Sequence, residues 1–100
     1  MKEYRKGLQT IAAHYGAHHQ IGKAAEELAE ACEACLEYHS VLTRENFEHL
    51  AEELADAQIM IDQLRMIVPN LAETMEVYKR FKIKRQLERI EREQEKEKAW

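Results

Sequence analysis

The chain has 100 residues, 45% of them hydrophobic, with three glycines and one proline, and this composition indicates a single domain of long helices. Its formal charge of −4 argues against nucleic-acid binding, which needs a positive surface. No segment has the apolar length of a membrane span, and the N-terminus lacks the apolar run of a secretory signal. We therefore expect a cytoplasmic protein without a membrane partner.

Two helices are predicted before residue 40. Residues 3–15 carry apolar side chains on one side, and Gly16 predicts a break or kink. A second helix is predicted over about 18–39. Its apolar residues recur every three or four positions, the pattern of a stripe packed against a partner helix; they are Ile21, Ala24, Leu28, Ala31, Cys35 and Tyr38.

A third helix is predicted over about 44–68, with Thr43 as its N-cap. From Ala55 onward this helix carries apolar residues on the face opposite its main stripe as well as on the stripe itself. One neighbouring helix cannot cover both faces, so we expect a second subunit to cover one of them. A chain this short also buries a limited core, which favours oligomerisation.

A fourth helix is predicted after the turn at Pro69 and Asn70. From about 88–100 it becomes a polar helical tail, because nearly all of its residues are charged or amide side chains. There is no internal repeat, phosphate-binding glycine loop or domain linker in the sequence. The prediction is an all-α, four-helix domain that covers residues 1–100.

Two acidic clusters lie on consecutive predicted helices: Glu26, Glu27 and Glu30 on the second helix, and Glu53 and Asp56 on the third. Carboxylates three residues apart share a helix face, so a helical hairpin could bring four of them together. Clustered carboxylates repel one another unless cations neutralise them, and ligand sets made only of oxygen favour Mg²⁺, Mn²⁺ or Ca²⁺.

The simplest alternative is that both clusters lie on a solvated surface and bind nothing. Glutamate is a good helix former, and runs of charged residues usually face solvent. Against this, Glu27 borders the apolar arc of its helix, and Glu53 falls between the directions of Met60 and Leu64. A carboxylate at such a boundary needs a partner, and a metal ion would provide one.

Cysteine and histidine residues suggest other metals, but their spacing is unfavourable. Cys32 and Cys35 form one pair without the second pair of a zinc ribbon or finger, so they are predicted to be small core residues. His14 and His18 are four residues apart, but Gly16 between them weakens the helix that would align them. The Glu-x-x-His motif of di-iron bundles does not occur in the sequence.

The two acidic clusters match EExxE followed, after a spacer, by ExxD. In this respect the chain resembles the all-α nucleoside triphosphate pyrophosphohydrolases of the MazG-like type, over about residues 18–90. Gln20 and Lys23 before the first cluster, and the basic strip around Lys79, are similar to features of that family.

The resemblance implies a homodimer or homotetramer that uses Mg²⁺, with Mn²⁺ as a substitute, to cleave a (d)NTP to (d)NMP and pyrophosphate in cleaning the nucleotide pool. The implied metal ligands are Glu27, Glu30, Glu53 and Asp56. Glu26 completes the implied catalytic set by orienting Lys23 or water. The implied substrate-binding residues are Gln20, Lys23, Lys79, Lys82 and Arg85.

Two questions stay open from the sequence. The first is whether the chain is instead a noncatalytic helical module that oligomerises or acts as an adaptor. The second is base specificity, for which Tyr15, His19 and Tyr38 are candidates.

Overall fold

The computed structural model describes residues 2–98, and over this range it contains four α-helices and no strand. The helices are α1 (Lys2–Tyr15), α2 (Ala17–Ser40), α3 (Arg44–Ile67) and α4 (Leu71–Lys98). The predicted all-α class and the number of helices are confirmed. Ala99 and Trp100, the end of the predicted polar tail, lie outside the described residues.

The helices form two compact units. The first ends at Pro69 and holds α1, α2 and α3, and the second begins at Asn70 and holds α4. In the first unit α2 packs against α3, and α1 contacts both.

Helices α2 and α3 form an antiparallel hairpin. Near its open end the Gln20 side chain donates a hydrogen bond to that of Gln63 (2.9 Å). Near the connection over 41–43 the rings of Tyr38 and Phe47 contact each other, with centroids 6.1 Å apart. Thr43 starts α3 as predicted, because its side-chain oxygen accepts a hydrogen bond from the Asn46 backbone N–H (3.1 Å).

The contact between these helices follows a seam of residues spaced alternately four and three apart, the spacing of a helix packed along one neighbour. We call these positions the α2–α3 seam. On α2 they are Gln20, Ala24, Glu27, Ala31, Ala34 and Tyr38. On α3 they are Asn46, Leu50, Glu53, Ala57, Met60, Leu64 and Ile67. All thirteen are buried or half-buried.

The seam is rotated from the stripe predicted on α2. Ala24 and Ala31 are buried as expected, but Ile21 and Leu28 are about half exposed and Cys35 is exposed. The physical reason is that alanines let two helix backbones approach closely, and the larger apolar residues then fall beside the contact rather than in it.

Helix α1 is joined to the hairpin by packing and by one polar contact. Leu8 and Ala12 are buried, and the Tyr4 hydroxyl donates a hydrogen bond to an Asp62 carboxylate oxygen on α3 (2.7 Å). That bond raises the pKa of Tyr4, since it favours the neutral phenol.

Helix α4 has no buried residue along its 28 positions, and every side chain from Val77 to Lys98 is exposed. Among residues 2–98, no helix combines the length and the apolar content that crossing a bilayer would require.

Gly16 separates α1 from α2 with φ 87° and ψ 159°, a conformation that side chains with a Cβ rarely adopt. Its predicted role as a break is therefore confirmed. A Cβ added at Gly16, or at Gly22 within α2, would have open space around it, with no atom of another described residue within 4 Å beyond the adjoining backbone. The two glycines consequently differ in backbone conformation and not in the space available to a side chain.

We expect opposite effects from two alanine substitutions. Gly16→Ala should lower the free energy of unfolding by about 1–3 kcal/mol, because alanine is strained at this φ and ψ. Gly22→Ala should raise it by about 0.5–1 kcal/mol, because alanine has the better helix propensity. Urea denaturation followed by circular dichroism measures both, and equal changes would contradict the assignment of Gly16 as the break.

Candidate functional site

The most unusual feature of the α2–α3 seam is that two of its positions are glutamates. The Glu27 and Glu53 side chains are only 12% and 14% exposed. In each, the Oε2 oxygen is buried without a hydrogen-bond partner among the described residues. A buried carboxylate oxygen without a partner destabilises the fold, so both positions call for a positive ligand.

Glu30 joins them from the next turn of α2, where it is exposed. One oxygen from each of Glu27, Glu30 and Glu53 can be chosen so that all three lie within 4.8 Å of one another. We call these three residues the carboxylate cluster. Both predicted acidic motifs therefore contribute to one place in the fold.

The spacing of these oxygens can be compared with ionic dimensions. Two ligands on opposite sides of Ca²⁺ are separated by roughly 4.6–5.2 Å, and on opposite sides of Mg²⁺ by about 4.2 Å, twice the usual bond lengths. Oxygens within 4.8 Å of one another can therefore share Ca²⁺, and they can share Mg²⁺ where they lie within about 4.2 Å. The donor set, all oxygen, suits either ion.

Two other predicted members of the acidic site lie outside the carboxylate cluster. Asp56 is half-buried one turn after Glu53, but it is not part of the carboxylate cluster found among residues 2–98. Glu26 is exposed and pairs with Lys23, at 3.4 Å between Oε2 and Nζ. The role of Asp56 as a metal ligand stays a prediction.

Basic side chains cover the outer oxygens of the two seam glutamates. Lys23 Nζ lies 3.3 Å from Glu27 Oε1, and His49 Nε2 lies 3.4 Å from Glu53 Oε1. The hydrogen bond to Glu27, followed by that to Glu26, raises the pKa of Lys23. Each seam glutamate thus has one oxygen in contact with a basic side chain and one oxygen that is buried.

His49 also contacts the other helix of the hairpin. Its Nδ1 lies 3.3 Å from Glu37 Oε2 on α2. The hydrogen bond to Glu37 is the largest cause of a raised pKa at His49, with smaller contributions from the charges of Glu37, Glu53 and Glu52. Sequence reasoning missed this residue, although its spacing of four from Glu53 is visible in the sequence.

A cleft of about 500 Å³ lies between α1, α2 and α3, and we call it the Gln63 cleft. Lys23, which contacts Glu27 of the carboxylate cluster, lines it together with Glu26. Gln20, predicted to bind substrate, lines it as well. The remaining lining residues are Ile11, Tyr15, His19, Ile59, Met60 and Gln63.

The other predicted substrate-binding residues, Lys79, Lys82 and Arg85, are exposed on α4 in the second unit. Lys79 Nζ lies 3.4 Å from Glu76 Oε1 on the same helix. Their contact with phosphate stays a prediction.

The prediction that Cys32 and Cys35 are core residues is wrong, because both are exposed. The seam passes through Ala31 and Ala34 and leaves each cysteine one position outside it.

Comparisons of the chain with models of protein families, with curated proteins and with solved structures found no match.

Removing one charge from the seam should stabilise the protein in the absence of divalent cations. For Glu27→Gln or Glu53→Gln we expect a gain in the free energy of unfolding on the order of 1 kcal/mol, because the amide does not repel the remaining carboxylates. Urea denaturation in the presence of a chelator measures this. The control Glu33→Gln removes an exposed charge on α2 and should change little, whereas a loss of stability in both seam variants would contradict the arrangement.

The raised pKa of His49 predicts a pH dependence of stability. The folded protein binds this proton more tightly than the unfolded chain, so the stabilisation is complete below about pH 6.5 and is lost as the pH rises through the folded-state pKa. Without divalent cations, the free energy of unfolding should therefore fall as the pH rises above about 6.5. Glu37→Gln removes the carboxylate that is the main cause of the raised pKa, so the free energy of unfolding should depend less on pH in this variant. The same pH dependence in the variant and the native protein would contradict the contact between His49 and Glu37.

Proposed function

We propose that this protein is a metal-dependent nucleoside triphosphate pyrophosphohydrolase of the MazG-like type, which cleaves a (d)NTP to (d)NMP and pyrophosphate. In this proposal it acts as a homo-oligomer in the cytoplasm and cleans the nucleotide pool. The observation that carries the proposal is the pair of inward, unpartnered carboxylate oxygens of Glu27 and Glu53, one from each acidic motif.

An acidic cluster alone is weak support, because exposed acidic groups are common without an ion. The buried oxygens are a separate observation. A solvated acidic surface would leave its carboxylates in water, where repulsion is screened and costs little. The seam glutamates are only 12% and 14% exposed, so the free-energy cost of burying their charges is larger. A bound divalent cation would remove that cost.

The residues that would hold Mg²⁺ are Glu27, Glu30 and Glu53, with Asp56 as a further ligand. When bound, the ion supplies neutralisation of the triphosphate and activation of water for attack on the α–β phosphoanhydride. Mg²⁺ usually takes only one or two carboxylates and keeps several waters, so a set of four leaves capacity for a second ion.

The chain's basic groups have two tasks in this proposal. Lys23 is placed between Glu26 and Glu27, 3.4 and 3.3 Å away, so its ammonium group can turn from carboxylate to a phosphate oxygen when cations occupy the cluster. Lys79, Lys82 and Arg85 form an exposed basic ridge on α4, and electrostatic attraction of the triphosphate is the task we assign to them.

Exposed apolar side chains support assembly into a dimer or a dimer of dimers. Leu28, Phe47 and Leu54 are each close to half exposed, and Leu36 is 65% exposed. In the proposed oligomer, a second subunit would cover these side chains.

The experiment is hydrolysis of a nucleotide panel with Mg²⁺, with products identified as monophosphate plus pyrophosphate or as diphosphate plus phosphate. We expect the first pair of products, and a fall of roughly a hundredfold or more in kcat/KM for Glu53→Gln and Glu27→Gln. Glu33→Gln, the matched control on the surface of α2, should retain activity.

A second candidate is a noncatalytic helical adaptor, favoured by the long exposed helix α4. It predicts that the native chain and Glu53→Gln are equally inactive on every nucleotide, which would overturn the hydrolase proposal. Release of diphosphate and phosphate would also overturn it, since the bond cleaved would be a different one.

A further inference from the structure

The Gln63 cleft has an unusual floor, formed by two buried amides. Gln20 and Gln63 are 2% and 1% exposed. Gln20 Nε2 donates to Gln63 Oε1 (2.9 Å), and Gln20 Oε1 accepts from His19 Nδ1 (2.8 Å). The hydrogen bonds therefore run in one direction, from His19 through Gln20 to Gln63.

The last amide in this series of hydrogen bonds, that of Gln63, lacks a strong acceptor. Gln63 Nε2 donates to the thioether sulfur of Met60 at 3.7 Å, and a thioether is a weak acceptor. An amide nitrogen carries two N–H groups, and a buried donor without a good acceptor destabilises the fold. An oxygen acceptor brought in by a ligand would complete the hydrogen bonding of Gln63.

The walls of the cleft suit a flat ligand. Ile11, Ile59 and Met60 provide apolar surface. At the edge, the rings of Tyr15 and His19 are stacked, with centroids 4.9 Å apart and planes 17° from parallel, and Tyr15 is 53% exposed. Such a platform binds heteroaromatic rings by stacking, and the volume of about 500 Å³ lies within the usual range for small-ligand sites.

We propose that the Gln63 cleft binds the base of the nucleotide, and that the Gln63 amide is a specificity-determining group that donates to a ring carbonyl oxygen. The protein then prefers bases with such an oxygen over adenine, which has none. The inference depends on the proposed function for the identity of the ligand as a nucleotide. Lys23, which lines the cleft and contacts Glu27, directs the phosphate end toward the carboxylate cluster.

The test is equilibrium binding of inosine 5′-monophosphate and adenosine 5′-monophosphate in a chelator, because these ligands differ at the position of the carbonyl oxygen and neither binding event requires hydrolysis. For the native protein we expect at least about tenfold tighter binding of the inosine nucleotide. Nuclear magnetic resonance should show the side-chain amide protons of Gln63 shifting only with that ligand.

Three variants sharpen the result. Gln63→Glu keeps an acceptor for Gln20 but removes the donor, so the preference should shift toward the adenosine nucleotide. Tyr15→Ala, at an exposed position, should weaken both ligands by a similar factor. Its matched control, Tyr78→Ala on α4, changes another exposed tyrosine and should change neither affinity.

Equal affinities for the two nucleotides, or no binding of either at millimolar concentration, would overturn the inference. An unchanged preference in a folded Gln63→Glu would do the same, and if that variant does not fold, the measurements on the native protein decide. A chain that distinguishes the two ligands but hydrolyses no triphosphate would contradict the proposed hydrolase activity while leaving this inference intact.

Discussion

The close approach of α2 and α3 determines most of what this molecule can do. Alanines at three of the six α2 seam positions keep the backbones near each other. A side chain at a seam position faces the partner helix whatever its chemistry, because the spacing of four and three fixes its direction. Glutamates at two such positions are therefore partly removed from water by the geometry of the hairpin.

The hairpin pairs the outer oxygens of these glutamates and leaves the inner ones unpaired. Lys23 and His49 contact Oε1 of Glu27 and Glu53, while both Oε2 atoms are buried without partners among the described residues. Apolar residues that could have filled the seam, Ile21 and Leu28, lie beside it and are about half exposed. Half-buried carboxylates in the seam, with apolar residues left beside it, lower the stability of the hairpin and provide a binding site instead.

Much of the fold could be predicted from local signals. Gly16 and Thr43 mark helix boundaries through backbone conformation and capping, and the predicted ranges 3–15, 18–39 and 44–68 end within two residues of α1, α2 and α3. The direction of the α2 contact could not be predicted as well, because alanine contributes little to an apolar pattern while Ile21 and Leu28 dominate it.

The candidate site shows the same division. The clusters around Glu27 and Glu53 were visible in the sequence, and both contribute to the carboxylate cluster. The contacts of His49 with Glu37 and of Gln63 with Gln20 were not visible, because they join residues that are adjacent only after the hairpin has closed. A buried glutamine cannot be recognised from an apolar pattern, because its side chain is polar. The burial of Gln63 could be suspected only from the apolar residues Met60 and Leu64 near it in the sequence.

These two cross-helix contacts lie on either side of the seam glutamates, with Gln20–Gln63 toward the open end and Glu37–His49 toward the connection. Together they set the axial alignment of the two helices. A slip of one helical turn, about 5.4 Å, would carry Glu53 past Glu27 and dismantle the cluster without unfolding either helix. Residues about one to three turns from the acids therefore hold the two glutamates in line, and a substitution at one of them would alter the site without changing either acidic motif.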